Sequence, residues 1–316
     1  MVKKTVSDAE FIRLFELLGP LGLSQEIGIA IRNVHERRRR IEAQKAISIL
    51  APPKNATPHP VYPQRALINI QDGVAVVFSD AHFWPGRIST GFRALKWAVK
   101  EFKPVLLNNN GDAFDGPKVS RHPPLGWENP PTPAQELECV DDRLEELRAV
   151  TPKDCALVWC QGNHDARFDM RLADRVGEYK GVRGFKLSDH FPHWQFTTSL
   201  HINDQVVIKH RYKGGVHATH NNTVNAGKTV VTGHLHSLKV TPFDDYNGTR
   251  WGVDTGTLDD PYGPQFAYAE DNPLNHRSGF AILTFAGGRL LWPELVHVIG
   301  ENQIEFRGQI INLPNE

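Results

Sequence analysis

Five short polar clusters carry side chains that can hold metal ions: Asp80-Ala81-His82, Gly111-Asp112-Ala113-Phe114-Asp115, Gly162-Asn163-His164-Asp165, His210, and Gly233-His234-Leu235-His236. A phosphoester resists hydrolysis because its anionic oxygens repel a nucleophile. Two divalent cations would neutralise those oxygens, lower the pKa of a bridging water and hold attack and departure in line. One carboxylate must bridge such a pair, and Asp112 is the candidate. Asp80, His82 and His236 could complete one metal shell, and Asn163, His210 and His234 the other. A mixed Asp, Asn and His set is borderline in softness, which suits Mn first, then Fe, Zn or Ni, rather than Mg or Ca.

Each cluster follows a short apolar run. Val74–Phe78 leads into Asp80, Pro104–Leu107 approaches Asp112, and Ala156–Cys160 leads into Asn163. Val206–Ile208 leads into His210 and Thr229–Val231 into His234. Such β-branched runs predict buried strands, and ligands at neighbouring strand ends converge at the rim of a sheet. Between the runs, Phe92, Leu95, Val99 and Phe102 share one helical face. Thr132-Pro133 with Gln135 opens another helix, whose apolar face is Leu137, Val140, Leu144 and Leu147. This alternation implies parallel β-α-β units. From about Gln195 the pattern turns to short strands, with a hairpin expected around Asn203-Asp204. The segment from Asp115 to Pro133, with Trp127 at its middle, reads as a long loop and is expected to face substrate.

In order and type, the five clusters resemble the calcineurin-like metallophosphoesterase superfamily, whose pattern is D-x-H, G-D-x-x-D, G-N-H-D/E, an isolated H, and G-H-x-H. The resemblance covers about residues 68–260. It implies an α/β sandwich of two central sheets with a dinuclear metal centre at their shared edge. It also implies that His164 faces the leaving group as acid or phosphate clamp, with Asp165 orienting its imidazole. The chain departs from the pattern where Arg211, not glycine, follows His210, which leaves His217 and His220 as rivals for that ligand. His210 is preferred because it directly follows a strand. Asp115 is expected to be a structural hydrogen-bond partner rather than a ligand.

The 316 residues, 40% of them hydrophobic, suffice for one large core and a small appendage. Formal charge is zero, so no global field favours nucleic acid or membrane. Three cysteines without paired metal spacing suit a reducing compartment. With no secretory signal or bilayer-length apolar run, a cytoplasmic protein that spans no membrane is expected.

The one basic concentration lies near the N-terminus. Residues 7–45 read as helices broken at Gly19-Pro20 and Gly28, with Ser7 and Glu10 forming a capping-box pattern. The stretch from Gly19 to Arg40 resembles a helix-turn-helix: Gly28 turns the chain, Ile29 and Val34 pack inward, and Arg32, Arg37, Arg38, Arg39 and Arg40 face phosphates. The alternative is a docking module with a solvated arginine run. The expected organisation is therefore a helical domain over residues 1–50, a Pro-rich linker over 51–65 and a metallophosphoesterase domain over 66–316. The function expected is a metal-dependent phosphodiesterase, a DNA nuclease that its N-terminal module delivers to nucleic acid. A phosphomonoesterase or nucleotide phosphatase is the alternative within enzymes, and a DNA-binding regulator with an inactive phosphoesterase domain the alternative outside them. A protein serine/threonine phosphatase is disfavoured, because Gly116-Pro117 follows Asp115 and Gln161 precedes Gly162.

Overall fold

A computed structural model describes residues 5–45, 47–49, 51, 64–121, 129–261, 263, 272 and 274–314. Most of the expected linker, together with Trp127, lies outside the described residues. The chain divides into two compact units, Met1–Pro63 and Gln64–Glu316.

In the first unit, helix α1 (Asp8–Ile27) is bent at Gly19, whose φ of 69° and ψ of 178° are not helical. Pro20 resumes the helix where a missing N–H costs nothing. Ser7 caps the start by accepting the Glu10 N–H at 3.2 Å. Gly28, at φ 67°, closes the end in the left-handed conformation. Helix α2 (Ile31–Lys45) follows. Phe11, Phe15, Leu23, Ile27, Val34 and Ile41 form a small buried core, with Ile29 packed against it. The arginine run is largely engaged within the unit. Arg37 pairs with Asp8 at 2.7 Å and lies over the Phe11 ring. Arg38 pairs with Glu42 and lies over Phe15. Arg32 pairs with Glu36, and Arg40 approaches Asp8 at 3.7 Å.

The second unit opens with β1 (Arg65–Ile68), β2 (Gly73–Phe78), α3 (Thr90–Phe102) and β3 (Leu106–Asn109). Next come α4 (Pro133–Val150), β4 (Ala156–Cys160), α5 (Asp165–Arg175), β5 (Gln195–Thr197) and β6 (Ser199–Ile202). Then follow β7 (Val206–Ile208), α6 (Ala218–Ala226), β8 (Thr229–Thr232), β9 (Lys239–Asp245) and β10 (Gly248–Asp254). The chain closes with β11 (Gly279–Ala286), β12 (Arg289–Leu290), β13 (Glu294–Gly300), β14 (Gln303–Phe306) and β15 (Gln309–Asn312).

Among the described residues these strands make two mixed sheets. One runs β1-β6-β7-β8-β10-β9, the other β15-β14-β13-β11-β2-β3-β4-β5, with β12 beside β11. Strands β2, β3, β4 and β5 are parallel, as the helix-strand alternation requires. The hairpin falls where expected, with Asn203 and Asp204 at φ 50° and 55° between antiparallel β6 and β7. The sequence reading did not place β11. This strand pairs antiparallel to β2 and sits mid-sheet, so its apolar run is buried on both faces and shows no period to read.

Alternation along the strands separates two cores. Val76, Phe78, Trp159, Phe280 and Ile282 face the helical layer, where Phe92, Leu95, Val140 and Leu144 pack. Ala75, Val77, Val158, Cys160, Ala281 and Leu283 face the other way, against Ile202, Ile208, Val231 and Val253 of the second sheet. Two sheets packed face to face with helices outside form an α/β sandwich. All three cysteines are free thiols, and burial pushes Cys160 up to about 12. No described helix is long and apolar enough to cross a membrane.

Candidate metal centre

The polar clusters converge where the two sheets meet. Asp80, Asp112 and Asn163 follow β2, β3 and β4 of one sheet, and His210 and His234 follow β7 and β8 of the other. The turns that carry them are tightly wound. Asp80, His82, Asp112, His234 and His236 all adopt left-handed backbone, with φ between 38° and 70°. Non-glycine residues held there store strain, which clusters at functional sites.

Asp80 and Asp112 each have one oxygen held by backbone and one aimed inward. Asp80 Oδ2 accepts the His234 N–H at 2.8 Å. Its Oδ1 faces the Nε2 atoms of His236 at 2.9 Å and of His82 and His210 at 3.9 Å. Asp112 Oδ1 accepts the His164 N–H at 2.8 Å. Its Oδ2 faces His210 Nε2 at 3.0 Å and His164 Nε2 at 4.0 Å. Six of the expected ligands, joined by His164, thereby gather into overlapping groups: Asp80, His82 and His236; His82, Asp112 and His164; and Asp112, His210 and His234. Exposed His217 stands at the N-terminus of α6, and His220 packs on Phe243, and neither rival is in the cluster among the described residues.

The imidazoles are oriented from behind. His82 Nδ1 meets Asp115 Oδ1 at 3.0 Å, His210 Nδ1–H donates to the Asn110 carbonyl at 2.7 Å, and His236 Nδ1 lies 3.3 Å from His276 Nδ1. Anchoring Nδ1 fixes the ring and turns Nε2 toward the carboxylates, the usual support for a metal-binding histidine.

The donor set fits a pair of borderline divalent cations. Asn163 Oδ1 is buried without a hydrogen bond, and His210 Nε2 makes none despite its nearness to Asp112. A buried polar atom left without a hydrogen bond is one that a cation can satisfy, for His210 once its Nε2 proton is displaced. Electrostatics agree. Burial alone would raise the Asp80 and Asp112 carboxyls, but the neighbouring imidazoles outweigh it and hold both well below the usual carboxylate range. Burial alone would likewise lower His82 and His210. The adjacent carboxylates instead push them up to about 9 and about 10. Two buried anions thus demand positive charge, and protons on His82 and His210 answer that demand.

One expectation is corrected. Asp165 does not orient the His164 ring. Its carboxylate accepts the N–H groups of Asp112 at 2.9 Å, Gly162 at 2.8 Å and Phe114 at 3.2 Å, and the Trp159 Nε1–H at 2.9 Å. It ties the ends of β3 and β4 together, because a carboxylate at the first turn of α5 faces those two turns. The ring partner of His164 is Asp115, whose Oδ1 lies 2.6 Å from Nδ1. One Asp115 oxygen thus serves both His82 and His164.

Three contributors were missed. Arg167 bonds the Asp115 carbonyl at 2.7 Å and His164 Nε2 at 3.0 Å. Its place three residues after His164, one helical turn on, was the available signal. His276 arrives from a distant loop with no local motif. Glu136 accepts the Asp115 and Gly116 N–H groups, so its helix holds the Asp115 turn in place.

Residues 74–249, more than half of the chain, match the calcineurin-like phosphoesterase family model, and the chain belongs to that family. No curated protein matches its sequence. Similar solved structures include Vps29 of Chaetomium thermophilum, at 9% identity and a TM-score of 0.41, over 77% of this chain and 100% of that one. They also include the nuclease MPE of Pseudomonas putida, at 14% identity and 0.32, over 69% and 86%. A dimetal phosphatase of Danio rerio stands at 10% identity and 0.37, over 77% and 99%. The family match ends short of the N-terminal unit.

Proposed function

We infer that this protein is a metal-dependent phosphodiesterase of nucleic acid, with DNA the favoured substrate. The observation that carries the hydrolytic reading is the convergence of His82, His210, His236 and His164 Nε2 atoms on one inward oxygen each of Asp80 and Asp112. Asp80, His82 and His236 would hold one metal ion, Asn163, His210 and His234 the other, and Asp112 both. Bound there, two such ions would supply charge neutralisation and an activated water. His164 stands beside Asp112 with its Nδ1 on Asp115, while its Nε2 accepts from Arg167 at 3.0 Å; a proton on Nε2 in place of that bond would be the one given to a departing oxygen. Arg167 adds a fixed cation on the same side, suited to a phosphoryl oxygen.

The preference for a polynucleotide is supported by the basic helix α2. Arg37 and Arg38 are half-buried in ion pairs inside the unit, so phosphate contact falls first to exposed Arg39, and to exposed Arg32 and Arg40 only by exchange with their partners Glu36 and Asp8. The test is a Mn-dependent assay on single- and double-stranded DNA, RNA, nucleotides and nitrophenyl mono- and diesters. Cleavage of DNA with diester preference is expected. Turnover confined to monoesters would replace this reading with a phosphomonoesterase, and no turnover with any divalent metal would replace it with a non-enzymatic role.

A further inference from the structure

Arg211, Tyr212 and Lys213 follow directly on His210, where the family pattern has glycine. Together with Gly214, Gly233 and His234 they line a hollow of about 300 Å³. The hollow therefore opens beside a residue of the candidate metal centre, and no acidic side chain lines it. Arg32, Arg37, Arg38 and Arg40 of the N-terminal unit all have a carboxylate within 4 Å. Arg211 and Lys213 form no ion pair among the described residues, and both are exposed. Two exposed cations with no ion pair among the described residues thus stand together at the edge of the candidate active site.

The loop is built to present these side chains. Asn222, buried on α6, accepts the Lys213 N–H at 3.0 Å through Oδ1 and donates to the Lys213 carbonyl at 3.4 Å through Nδ2. Gly215, at φ 99°, then reverses the chain into α6. Lys209 Nζ sits 5.0 Å over the Tyr212 ring, which stays 45% exposed. A half-exposed aromatic held by a cation and flanked by two unpaired cations is a place for an unpaired base between two phosphates. Aromatic rings stack on bases regardless of sequence, while arginine and lysine track the backbone.

We propose that Arg211, Tyr212 and Lys213 form a subsite for single-stranded polynucleotide, stacking one unpaired base on Tyr212 and seating its flanking phosphates on Arg211 and Lys213. This deepens the phosphodiesterase reading and rests on it. A duplex offers Tyr212 no free base face, so the subsite selects single strands and frayed ends.

The full-length Mn-loaded protein tests this through the ratio of kcat/KM for a single-stranded hexanucleotide to that for bis-nitrophenyl phosphate, which has neither a base nor a second phosphate. Tyr212→Ala should lower the ratio roughly tenfold or more, within the range for losing one base–aromatic stack. Tyr212→Trp should restore it. The pair Arg211→Ala and Lys213→Ala should raise the hexanucleotide KM and flatten its log–log salt dependence by about 1.4, at ~0.7 for each single-strand phosphate that is no longer neutralised. Arg211→Lys should recover part of that slope. Unchanged ratios and slopes in both the Tyr212→Ala and the Arg211→Ala/Lys213→Ala proteins would overturn the subsite while leaving the phosphodiesterase standing. A wild-type protein that cleaves nitrophenyl esters but no oligonucleotide would overturn both.

Discussion

At the scale of single residues, the site is governed by which nitrogen of each imidazole is anchored. His164 and His82 share Asp115 Oδ1 through Nδ1, so one carboxylate positions a candidate proton donor and a candidate metal ligand together. His164→Ala should leave bound Mn largely intact and lower turnover by ~10²–10⁴-fold, the range for a lost general acid. The loss should shrink with good leaving groups, which need less protonation. Equal losses for nitrophenolate and alkoxide leaving groups would instead assign His164 to phosphate positioning. Asp115→Ala should act on both functions. Turnover falls as for His164→Ala, and Mn affinity falls ~10–100-fold, as when the hydrogen-bond partner of a ligand histidine is removed. Titrating Mn into the variant by electron paramagnetic resonance separates the two, and unaltered affinity would count against the shared role.

At the scale of elements, the turns after the strands matter more than the strands themselves. Gly162, between β4 and α5, lies so close to Asp112 that a Cβ there would fall 2.0 Å from Asp112 Oδ1. Gly233, after β8, meets Asp80 Oδ2 in the same way at 2.5 Å. These glycines let two sheets bring their carboxylates and imidazoles to one point. Gly162→Ala should therefore displace Asp112, lower Mn stoichiometry below that of wild type and cut turnover at least ~100-fold, as misplacement by about 1 Å does. Gly177→Ala, where a Cβ meets nothing within 4 Å, is the matched control. Equal Mn stoichiometry and turnover in the two variants would show that the close approach at Gly162 is dispensable. The strands before these turns were readable because β-branched runs bounded by polar clusters mark them. The pairing of β11 with β2 was not, since a strand buried on both faces carries no alternation.

At the scale of the whole molecule, stability and charge are linked through Glu136. Its Oε1 accepts two backbone N–H groups, its Oε2 has no partner, and burial pushes the carboxyl up to about 8 from an ordinary 4.5. A folded-state value above the unfolded one stabilises fully below about pH 4.5. That contribution is lost as pH rises toward about 8. Glu136→Gln keeps an acceptor for both N–H groups and never ionises. Urea midpoints of the variant should therefore gain on wild type between pH 5 and 9, by a few kcal/mol in total at ~1.4 kcal/mol per pH unit of displaced ionisation. A constant gap across that range would refute the buried, neutral carboxyl. The N-terminal unit calls for a separate measurement. Deleting residues 1–50 should weaken DNA affinity and flatten its salt dependence, since fewer counterions are released. Unchanged affinity across a salt titration would make the unit a docking or assembly element.

The sequence by itself pointed to the family and to the candidate metal ligands, because ligation depends on residue type. Asp80, His82, Asp112, Asn163, His210, His234 and His236 could be named from their types and their places after apolar runs. It also determined the N-terminal helix breaks, since Gly19, Pro20 and Gly28 constrain the backbone locally whatever surrounds them. Tertiary structure decided what depends on contacts between distant segments. Asp165 could not be separated from Asp115 as the partner of His164, because a carboxylate's partner depends on which turns it faces once β3, β4 and α5 are packed. The pairing of α2 arginines with Asp8 and Glu42 and the seating of His276 behind His236 were hidden for the same reason. Local patterns record propensity and residue chemistry, whereas an ion pair or a ring contact exists only after the chain has folded back on itself.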